Sequence, residues 1–203
     1  MKQKQRVVVI QTGVANMASV VSCLEKCGAE VIVTHDPEVV RESQYLVLPG
    51  VGAFGPAIRQ LREYGLAEII RTRINENLPT LAVCLGLQLL ANCSEEAPGE
   101  CGLGVYDARI EKFKDVSRVP QLGWNEVKSD PRCALLQSGW AYFANSYRLT
   151  CAPDGWTAAW SDYGGPFVAA MEKGRTLACQ FHPELSGPWG LELIKRWLGD
   201  KEC

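Results

Sequence analysis

Hydrophobic residues in the first ninety positions alternate between short continuous runs and helical spacings. Four continuous runs stop near a glycine, a proline or a polar residue, which is typical of strands buried on both faces. They are Arg6-Val-Val-Val-Ile10, Glu30-Val-Ile-Val-Thr34, Tyr45-Leu-Val-Leu48 and Thr80-Leu-Ala-Val83. Between them, apolar residues recur three and four positions apart from Met17 to Leu24, and again from about 56 to 77 with an interruption at Gly65. Alternating strands and helices predict a parallel sheet with helices on both faces.

The second half of the chain has a different pattern. From 102 to 179, short strand-like runs and turn dipeptides replace the helical spacings, which favours antiparallel strands that extend the sheet. A last helix is expected from about Trp189 to Leu198. No linker, repeat or low-complexity segment divides the chain. We therefore expect residues 1–203 to form one α/β domain, a doubly wound and mainly parallel sheet with added antiparallel strands in the second half.

Composition and charge exclude several classes of function. The net charge of −2 and the scattered Lys and Arg residues argue against nucleic acid as a partner. The chain lacks a run of about eighteen apolar residues that would indicate a membrane span, and Val7–Ile10 is too short for a secretion signal, so we expect a cytoplasmic protein. The nine cysteines are irregularly spaced, without a CxxC pair, beside only two histidines. These features predict neither a disulfide framework nor a metal or other cofactor.

Cys84 follows the run Thr80–Val83 at the point where a strand should turn into a helix. A cysteine in an apolar run is most often an inert core residue. A thiol at a helix N-terminus, however, is activated and lies beside free backbone N–H groups. In Gln180-Phe-His-Pro-Glu184, His182 can serve as the base, and Glu184, two residues on in an extended segment, can orient it. The pattern predicts a catalytic triad of Cys84, His182 and Glu184.

Three motifs in this order resemble the triad-type, class I glutamine amidotransferases. They are Pro49-Gly-Val-Gly52, Cys84-Leu-Gly-Leu-Gln88 and Phe181-His-Pro-Glu184. Val119-Pro-Gln-Leu-Gly-Trp-Asn125 and Tyr142-Phe-Ala-Asn-Ser-Tyr147 extend the resemblance over essentially the whole chain, to the glutaminase subunits of imidazole glycerol phosphate synthase within that family. The resemblance implies a flavodoxin-like fold and hydrolysis of L-glutamine to glutamate and ammonia through a thioester on Cys84.

The resemblance also assigns binding roles to individual residues. In the resembled family, one group of positions forms the oxyanion site and holds the glutamine substrate. The matching residues here are Gly50, Val51, Gly52, Leu85, Gln88, Glu96, Asn145, Ser146 and Tyr147. Each also has a structural interpretation, and Glu96 beside Glu95 has the pattern of a solvated surface charge.

A partner protein is implied by the chemistry of ammonia, which is protonated in neutral water and then ceases to be a nucleophile. In the resembled family the partner is a (β/α)8-barrel cyclase, held in a heterodimer. That cyclase makes imidazole glycerol phosphate and AICAR from PRFAR in histidine biosynthesis. Residues that match positions near its interface are Asn16, Trp124, Tyr142 and Leu185.

Several positions depart from the family pattern and leave alternatives open. Ala82 replaces the usual glycine before the nucleophile, and Gln121 and Asn145 stand where histidines are usual. Leu185 replaces a basic residue and Gln11 an aspartate. The chain is therefore a glutaminase of the histidine pathway, a paralogue that feeds another synthase, or a catalytically silent module that regulates a partner. The intact triad argues against the silent module, and the glutamine-binding segments argue against a peptidase of the same fold.

Overall fold

The strands and helices follow the alternation that the apolar pattern predicts. The computed structural model describes residues 4–11, 17–50 and 52–199. Its strands are β1 Arg6–Ile10, β2 Glu30–Thr34, β3 Tyr45–Leu48, β4 Thr80–Val83, β5 Cys93–Ser94, β6 Arg109–Lys112, β7 Gln121–Ser129, β8 Gly139–Asn145, β9 Tyr147–Arg148, β10 Thr157–Asp162, β11 Pro166–Lys173 and β12 Thr176–Cys179. Its helices are α1 Met17–Lys26, α2 Pro37–Glu42, α3 Phe54–Glu63, α4 Leu66–Asn75, α5 Leu85–Leu89 and α6 Gly187–Trp197, with a 3₁₀ helix at Pro183–Leu185. Gly65, with a φ of 69°, separates α3 from α4, so the interruption predicted there is a real break.

One nine-stranded sheet runs through the molecule in the order β2-β1-β3-β4-β12-β11-β10-β7-β8. The strands from β2 to β12 in this order are parallel to one another. That half has the strand order of a flavodoxin-like doubly wound sheet. The expected fold class is therefore confirmed.

The other half of the sheet is antiparallel, as the pattern of the second half predicted. The apolar pattern gave no sign of the small sheet β5-β6-β9 or of helix α2. Helix α2 is formed by local capping, because Pro37 occupies its first turn and the Asp36 carboxylate accepts a hydrogen bond from the N–H of Glu38 at 2.9 Å. A six-residue helix is too short to give a clear periodic signal.

Both faces of the central strands β1, β3, β4 and β12 are covered, so their side chains point into two cores. In β1, Val7 and Val9 belong to one core, and Val8 and Ile10 belong to the other. The first core packs against α1 and α6, and the second packs against α2, α3, α4 and α5. Burial on both faces explains why these parallel strands read as continuous apolar runs. Within the described ranges, no helix has both the length and the apolar character needed to cross a membrane.

The ends of β3 and β4 approach each other more closely than a side chain would permit. A Cβ added to Gly86 would lie 2.2 Å from the carbonyl oxygen of Leu48, and one added to Gly50 would lie 2.3 Å from the backbone nitrogen of Gly86. Both contacts are with backbone atoms, which cannot turn aside as a flexible side chain can. Glycine at these two positions therefore sets the spacing between the loop after β3 and the start of α5.

Replacement Gly86→Ala should lower the free energy of unfolding by about 1–3 kcal/mol, because the new methyl group collides with backbone. Urea denaturation followed by circular dichroism measures this change. The matched control is Gly55→Ala in α3, where the nearest atoms lie at 3.3 Å or more and belong to side chains. There alanine should be neutral or stabilising by up to about 1 kcal/mol. Equal effects of the two substitutions would contradict the close-approach argument.

Candidate active site

Cys84 lies where β4 turns into α5, in a strained backbone conformation. Its φ of 52° and ψ of −108° are rare for a residue with a side chain. Its N–H donates to the carbonyl of Cys179 at 2.7 Å, which holds the turn against the end of β12. Strain of this kind persists only where the surrounding structure enforces it, and it clusters at active sites. The helix α5 that follows Cys84 is five residues long, so the helix dipole beside the thiol is small.

His182 reaches the site from the segment that follows β12. Its N–H donates to the carbonyl of Tyr142 at 2.9 Å, and its own carbonyl accepts from the hydroxyl of Ser186 at 2.6 Å. The same hydroxyl oxygen accepts from the N–H of Tyr142 at 3.0 Å. Strand β8 therefore fixes the backbone of His182 from outside the site.

Glu184 contacts the imidazole, although the backbone between the two residues is not extended as the sequence predicted. Pro183–Leu185 forms a 3₁₀ helix with His182 as its N-cap, since the fixed φ of proline suits a first helical position. The Oε1 atom of Glu184 still lies 2.9 Å from Nδ1 of His182. Both side chains are almost fully buried. With Nδ1 occupied, Nε2 is the ring nitrogen left to interact with Cys84.

Hydrogen bonds and charge favour the protonated form of His182. Burial disfavours the imidazolium and lowers its pKa, but the hydrogen bonds and charges of Cys84 and Glu184 outweigh burial and raise the pKa of His182 to about 10. Cys179, whose carbonyl receives the Cys84 N–H, has a different environment. Complete burial raises the pKa of the Cys179 thiol well above its usual value, so this neighbour is held as a neutral thiol.

A cavity of about 220 Å³ opens beside the cysteine and the histidine, at the carboxyl ends of β4 and β12. Ligands bind at this edge in doubly wound sheets. A larger cavity of about 520 Å³ lies near the start of β1 and is remote from this chemistry. In the described part of the chain, no group of three or more His, Cys, Asp and Glu residues is arranged to hold a metal ion. The residues that line the smaller cavity are Gly50, Gly52, Cys84, Leu85, Gln88, Glu96, Ala144, Asn145, Ser146, Tyr147 and His182.

The cavity is lined by all but one of the residues that the sequence predicted to bind the glutamine substrate or the oxyanion. Val51 lies outside the described residues. The N–H of Leu85 donates to the carbonyl of Gly50 at 3.4 Å. This hydrogen bond is long and weak, and an oxyanion bound at Leu85 would have to replace the Gly50 carbonyl as its acceptor.

Gln88 is buried, and its amide is oriented by two acceptors. Nε2 donates to the backbone carbonyl of Tyr147 at 3.2 Å and to Oε1 of Gln180 at 3.0 Å. An amide nitrogen carries two hydrogens, and both are used here. Gln88 can therefore meet a ligand only through its oxygen, as an acceptor from an N–H group.

Glu96 and Asn145 both line the cavity. The Oε2 atom of Glu96 accepts from the N–H of Phe54 at 2.9 Å, so this carboxylate also anchors the start of α3 and is not the free surface charge that its neighbourhood in sequence suggested. Nδ2 of Asn145 donates to the carbonyl of Tyr147 at 2.9 Å. Its Oδ1 is buried and has no hydrogen-bond partner among the described residues.

Gln180 contacts the sulfur of Cys84, although the sequence motifs assign no role to this residue. Its Nε2 lies 3.7 Å from Sγ of Cys84. Its backbone N–H donates to the carbonyl of Ala169 at 2.8 Å, which continues the strand pairing. The spacing could have predicted this contact, because residues two apart in an extended segment lie on the same face and His182 was expected in the site.

An aromatic face flanks the cavity on the edge hairpin of β7 and β8. Trp124 pairs with Tyr142 in register, and their rings meet edge to face with centroids 6.2 Å apart. Trp124 is 54% exposed, Leu122 58% and Leu185 38%, which is unusual for large apolar side chains clustered on one surface. Of the predicted interface residues, Asn16 lies outside the described residues.

Comparison with known proteins identifies the class to which this fold and site correspond. The family model described as glutamine amidotransferase class-I matches residues 8–199. A crystal structure described as a glutamine amidotransferase superposes with a TM-score of 0.76, covering 95% of this chain and 97% of that one, at 22% identity, which supports the fold alone.

Curated relatives identify one family within this class of amidotransferases. Imidazole glycerol phosphate synthase subunit HisH of Thermus thermophilus is 40% identical over 190 residues, covering 93% of this chain and 94% of its own. The subunit of the same name from Yersinia pseudotuberculosis is 38% identical over 197 residues, covering 95% of this chain and 98% of its own. The chain therefore belongs to the class-I glutamine amidotransferases and, within them, to the HisH family of imidazole glycerol phosphate synthase subunits.

Replacement Glu184→Gln should lower the pKa of His182, because it removes the negative charge and the strong acceptor at Nδ1. An NMR titration of the imidazole protons measures this pKa directly. His35 is the other histidine of the chain and stacks on Tyr64 away from the cavity, so its signal is an internal reference. An unchanged His182 midpoint in the variant would contradict the assigned contact.

The same contact should make stability depend on pH in a defined direction. The folded-state pKa of His182, about 10, lies above its unfolded value of about 6.5. Protonation therefore stabilises the fold fully below pH of about 6.5, and the contribution is lost as the pH rises through about 10. The deficit in unfolding free energy of Glu184→Gln should accordingly be larger at about pH 6 than at about pH 10.

Proposed function

We propose that this chain is the glutaminase subunit of an imidazole glycerol phosphate synthase. It hydrolyses L-glutamine to glutamate and ammonia and passes the ammonia to a cyclase subunit, which makes imidazole glycerol phosphate and AICAR from PRFAR in histidine biosynthesis. The observation that carries the proposal is that Cys84 and His182 line one cavity at the carboxyl edge of the sheet, while Glu184 contacts Nδ1 of His182. Membership of the HisH family supports the choice of pathway.

In the proposed mechanism, the thiolate of Cys84 attacks the side-chain amide carbon of glutamine. The imidazolium of His182 gives its proton to the departing nitrogen, so ammonia leaves and a γ-glutamyl thioester remains on the sulfur. Neutral His182 then takes a proton from water, and the hydroxide that forms cleaves the thioester to release glutamate. Glu184 holds the ring orientation through both steps by its contact with Nδ1.

The oxyanion that forms in each step is assigned to the backbone around Gly50, Val51, Gly52 and Leu85. The two loops lie close together, and the Leu85 N–H becomes available to the oxyanion once it leaves the carbonyl of Gly50, to which it donates a long hydrogen bond of 3.4 Å. Hydrogen bonds aimed at developing charge in a site with little water are a large part of such catalysis.

Glutamine itself is assigned to the remaining side of the cavity. Gln88 offers an acceptor oxygen, and Glu96 offers a carboxylate in the same cavity as the Asn145-Ser146-Tyr147 segment. An α-amino acid substrate carries an ammonium group, which needs acceptors of this kind. The buried, unpaired Oδ1 of Asn145 is a further acceptor on that wall.

A cyclase partner of (β/α)8-barrel type, in a heterodimer, is proposed to cover the aromatic face. Trp124, Tyr142 and Leu185 form this exposed apolar surface beside the cavity, and Asn16 belongs to the same proposal. Aromatic residues of this kind dominate the energy of protein interfaces. We propose further that residues 1–203 act as one glutaminase domain, since strands from both halves of the chain share the main sheet. The same proposal places the protein in the cytoplasm and assigns it no metal or cofactor.

Replacement Cys84→Ala should abolish glutamate release, by on the order of 10³-fold or more, because no thioester can form. The assay mixes the chain with a cyclase subunit and PRFAR and follows glutamate and imidazole glycerol phosphate separately. Synthesis from added ammonium salt should survive in the variant. The control is Cys101→Ala, which changes an exposed cysteine away from the cavity. A wild-type chain that releases glutamate only with a different synthase would instead favour the paralogue.

Replacement Trp124→Ala should weaken binding to the cyclase by about 30-fold, as expected for a central interface aromatic worth about 2 kcal/mol. Isothermal titration calorimetry of the two subunits measures the dissociation constant. Val33→Ala is the matched control, because Val33 is also an exposed apolar residue, 39% accessible, but lies on β2 at the opposite edge of the sheet. Equal losses for both variants would contradict the proposed interface.

A further inference from the structure

The carboxamide of Gln180 is the polar group that contacts the sulfur of Cys84 from inside the protein. The residue is fully buried, and its side chain lies between two other groups of the site. One end faces Sγ of Cys84 at 3.7 Å, and the other faces Nε2 of Gln88 at 3.0 Å. His182 interacts with the same sulfur from the cavity side.

The orientation of the Gln180 carboxamide follows from the backbone carbonyl of Tyr147, which contacts Gln88, which in turn contacts Gln180. The carbonyl of Tyr147 can only accept, so Gln88 must present its NH₂ group there. The second hydrogen of that group then requires an oxygen, which is Oε1 of Gln180. The NH₂ group of Gln180 is consequently the end that faces the sulfur. Exchange of oxygen and nitrogen in either amide would set two like groups against each other.

An N–H donor that faces a sulfur distinguishes between its two protonation states. A thiolate accepts a stronger hydrogen bond than a thiol does, because the acceptor carries a full charge. In a buried position the difference is not averaged out by water. The Gln180 amide therefore favours the reactive form of the nucleophile and limits the rotation of its side chain.

We propose that Gln180 is a positioning residue for the nucleophile, which holds Sγ of Cys84 and stabilises its thiolate through an amide whose polarity is set by the Tyr147 carbonyl through Gln88. The inference rests on the proposed function for its biological meaning, but its physical content concerns only the reactivity of one cysteine. A merely space-filling Gln180 would leave that reactivity unchanged when replaced by a side chain of similar size.

Two substitutions separate these cases. Gln180→Glu keeps the shape and an acceptor for Gln88 but replaces the donor with an acceptor, and Gln180→Met keeps approximate volume and removes both polar ends. The control is Thr176→Val, a buried polar residue on β12 whose hydroxyl has no hydrogen-bond partner among the described residues. The other titratable groups near Cys84 in the described part of the chain are His182, Glu184 behind it, Glu96 and Tyr147 in the cavity wall, and the buried thiol of Cys179, and all are retained in the three variants.

The measurement is the rate of alkylation of Cys84 by iodoacetamide across a range of pH, resolved by mass spectrometry of the Cys84 peptide in the full chain. Exposed Cys101 and Cys151 are internal references for the reagent. In both Gln180 variants we expect alkylation at neutral pH to fall about tenfold, with the midpoint of the pH profile moved upward. Thr176→Val should match wild type.

Folded Gln180 variants that alkylate Cys84 at the wild-type rate and midpoint would overturn the proposal, and circular dichroism establishes that they are folded. If Gln180→Met fails to fold, Gln180→Leu replaces it, because Gln180→Glu also places a charge beside the sulfur and cannot decide the question alone. The outcome is independent of the glutaminase assay. If the wild-type chain has no glutaminase activity but the Gln180 variants still slow the alkylation of Cys84, the proposed function is wrong and this inference stands. If the wild type is active and the variants leave alkylation unchanged, the inference is wrong and the proposed function stands.

Discussion

The parallel pairing of β4 with β12 is the interaction on which the site depends. It sets Val83 opposite Cys179, so the residues that follow both strands emerge at the same edge of the sheet. Cys84 then bonds through its N–H to the carbonyl of Cys179, and Gln180 and His182 follow within three positions on the other strand. One register thus brings Cys84 together with Gln180 and His182, which are about a hundred residues away in the sequence. A shift of one residue would turn all of these side chains to the wrong face.

The close contact of the glycines at the ends of β3 and β4 has a related effect on the opposite wall. Gly50 and Gly86 allow the loop after β3 to rest directly on the first turn of α5. The backbone groups assigned to the oxyanion are therefore supplied by two chain segments in van der Waals contact. Cys84 at the junction accepts an unfavourable φ because hydrogen bonds and packing on both sides leave the turn no alternative.

Much of this arrangement was predictable from the sequence, and the misses have physical causes. Continuous apolar runs identified β1, β3 and β4 because both faces of these strands are buried, and the motifs around Cys84 and His182 identified most of the cavity wall. Helix α2 was missed because capping, and not periodicity, forms it. The extended segment expected after His182 is a 3₁₀ helix because Pro183 favours a turn, and the carboxylate reaches Nδ1 all the same. Gln180 was missed because its contact with the sulfur arises only from pairing between distant strands.

The bridge between Tyr142 and His182 has a mechanical consequence. Tyr142 is half-buried on the edge hairpin with its ring against Trp124, and its backbone is joined to His182 by the His182 N–H and, through the Ser186 hydroxyl, by a second route. The two routes form a short, stiff coupling that bypasses both hydrophobic cores. A change in the position of β8 would therefore reach the backbone of His182 through hydrogen bonds between two neighbouring segments.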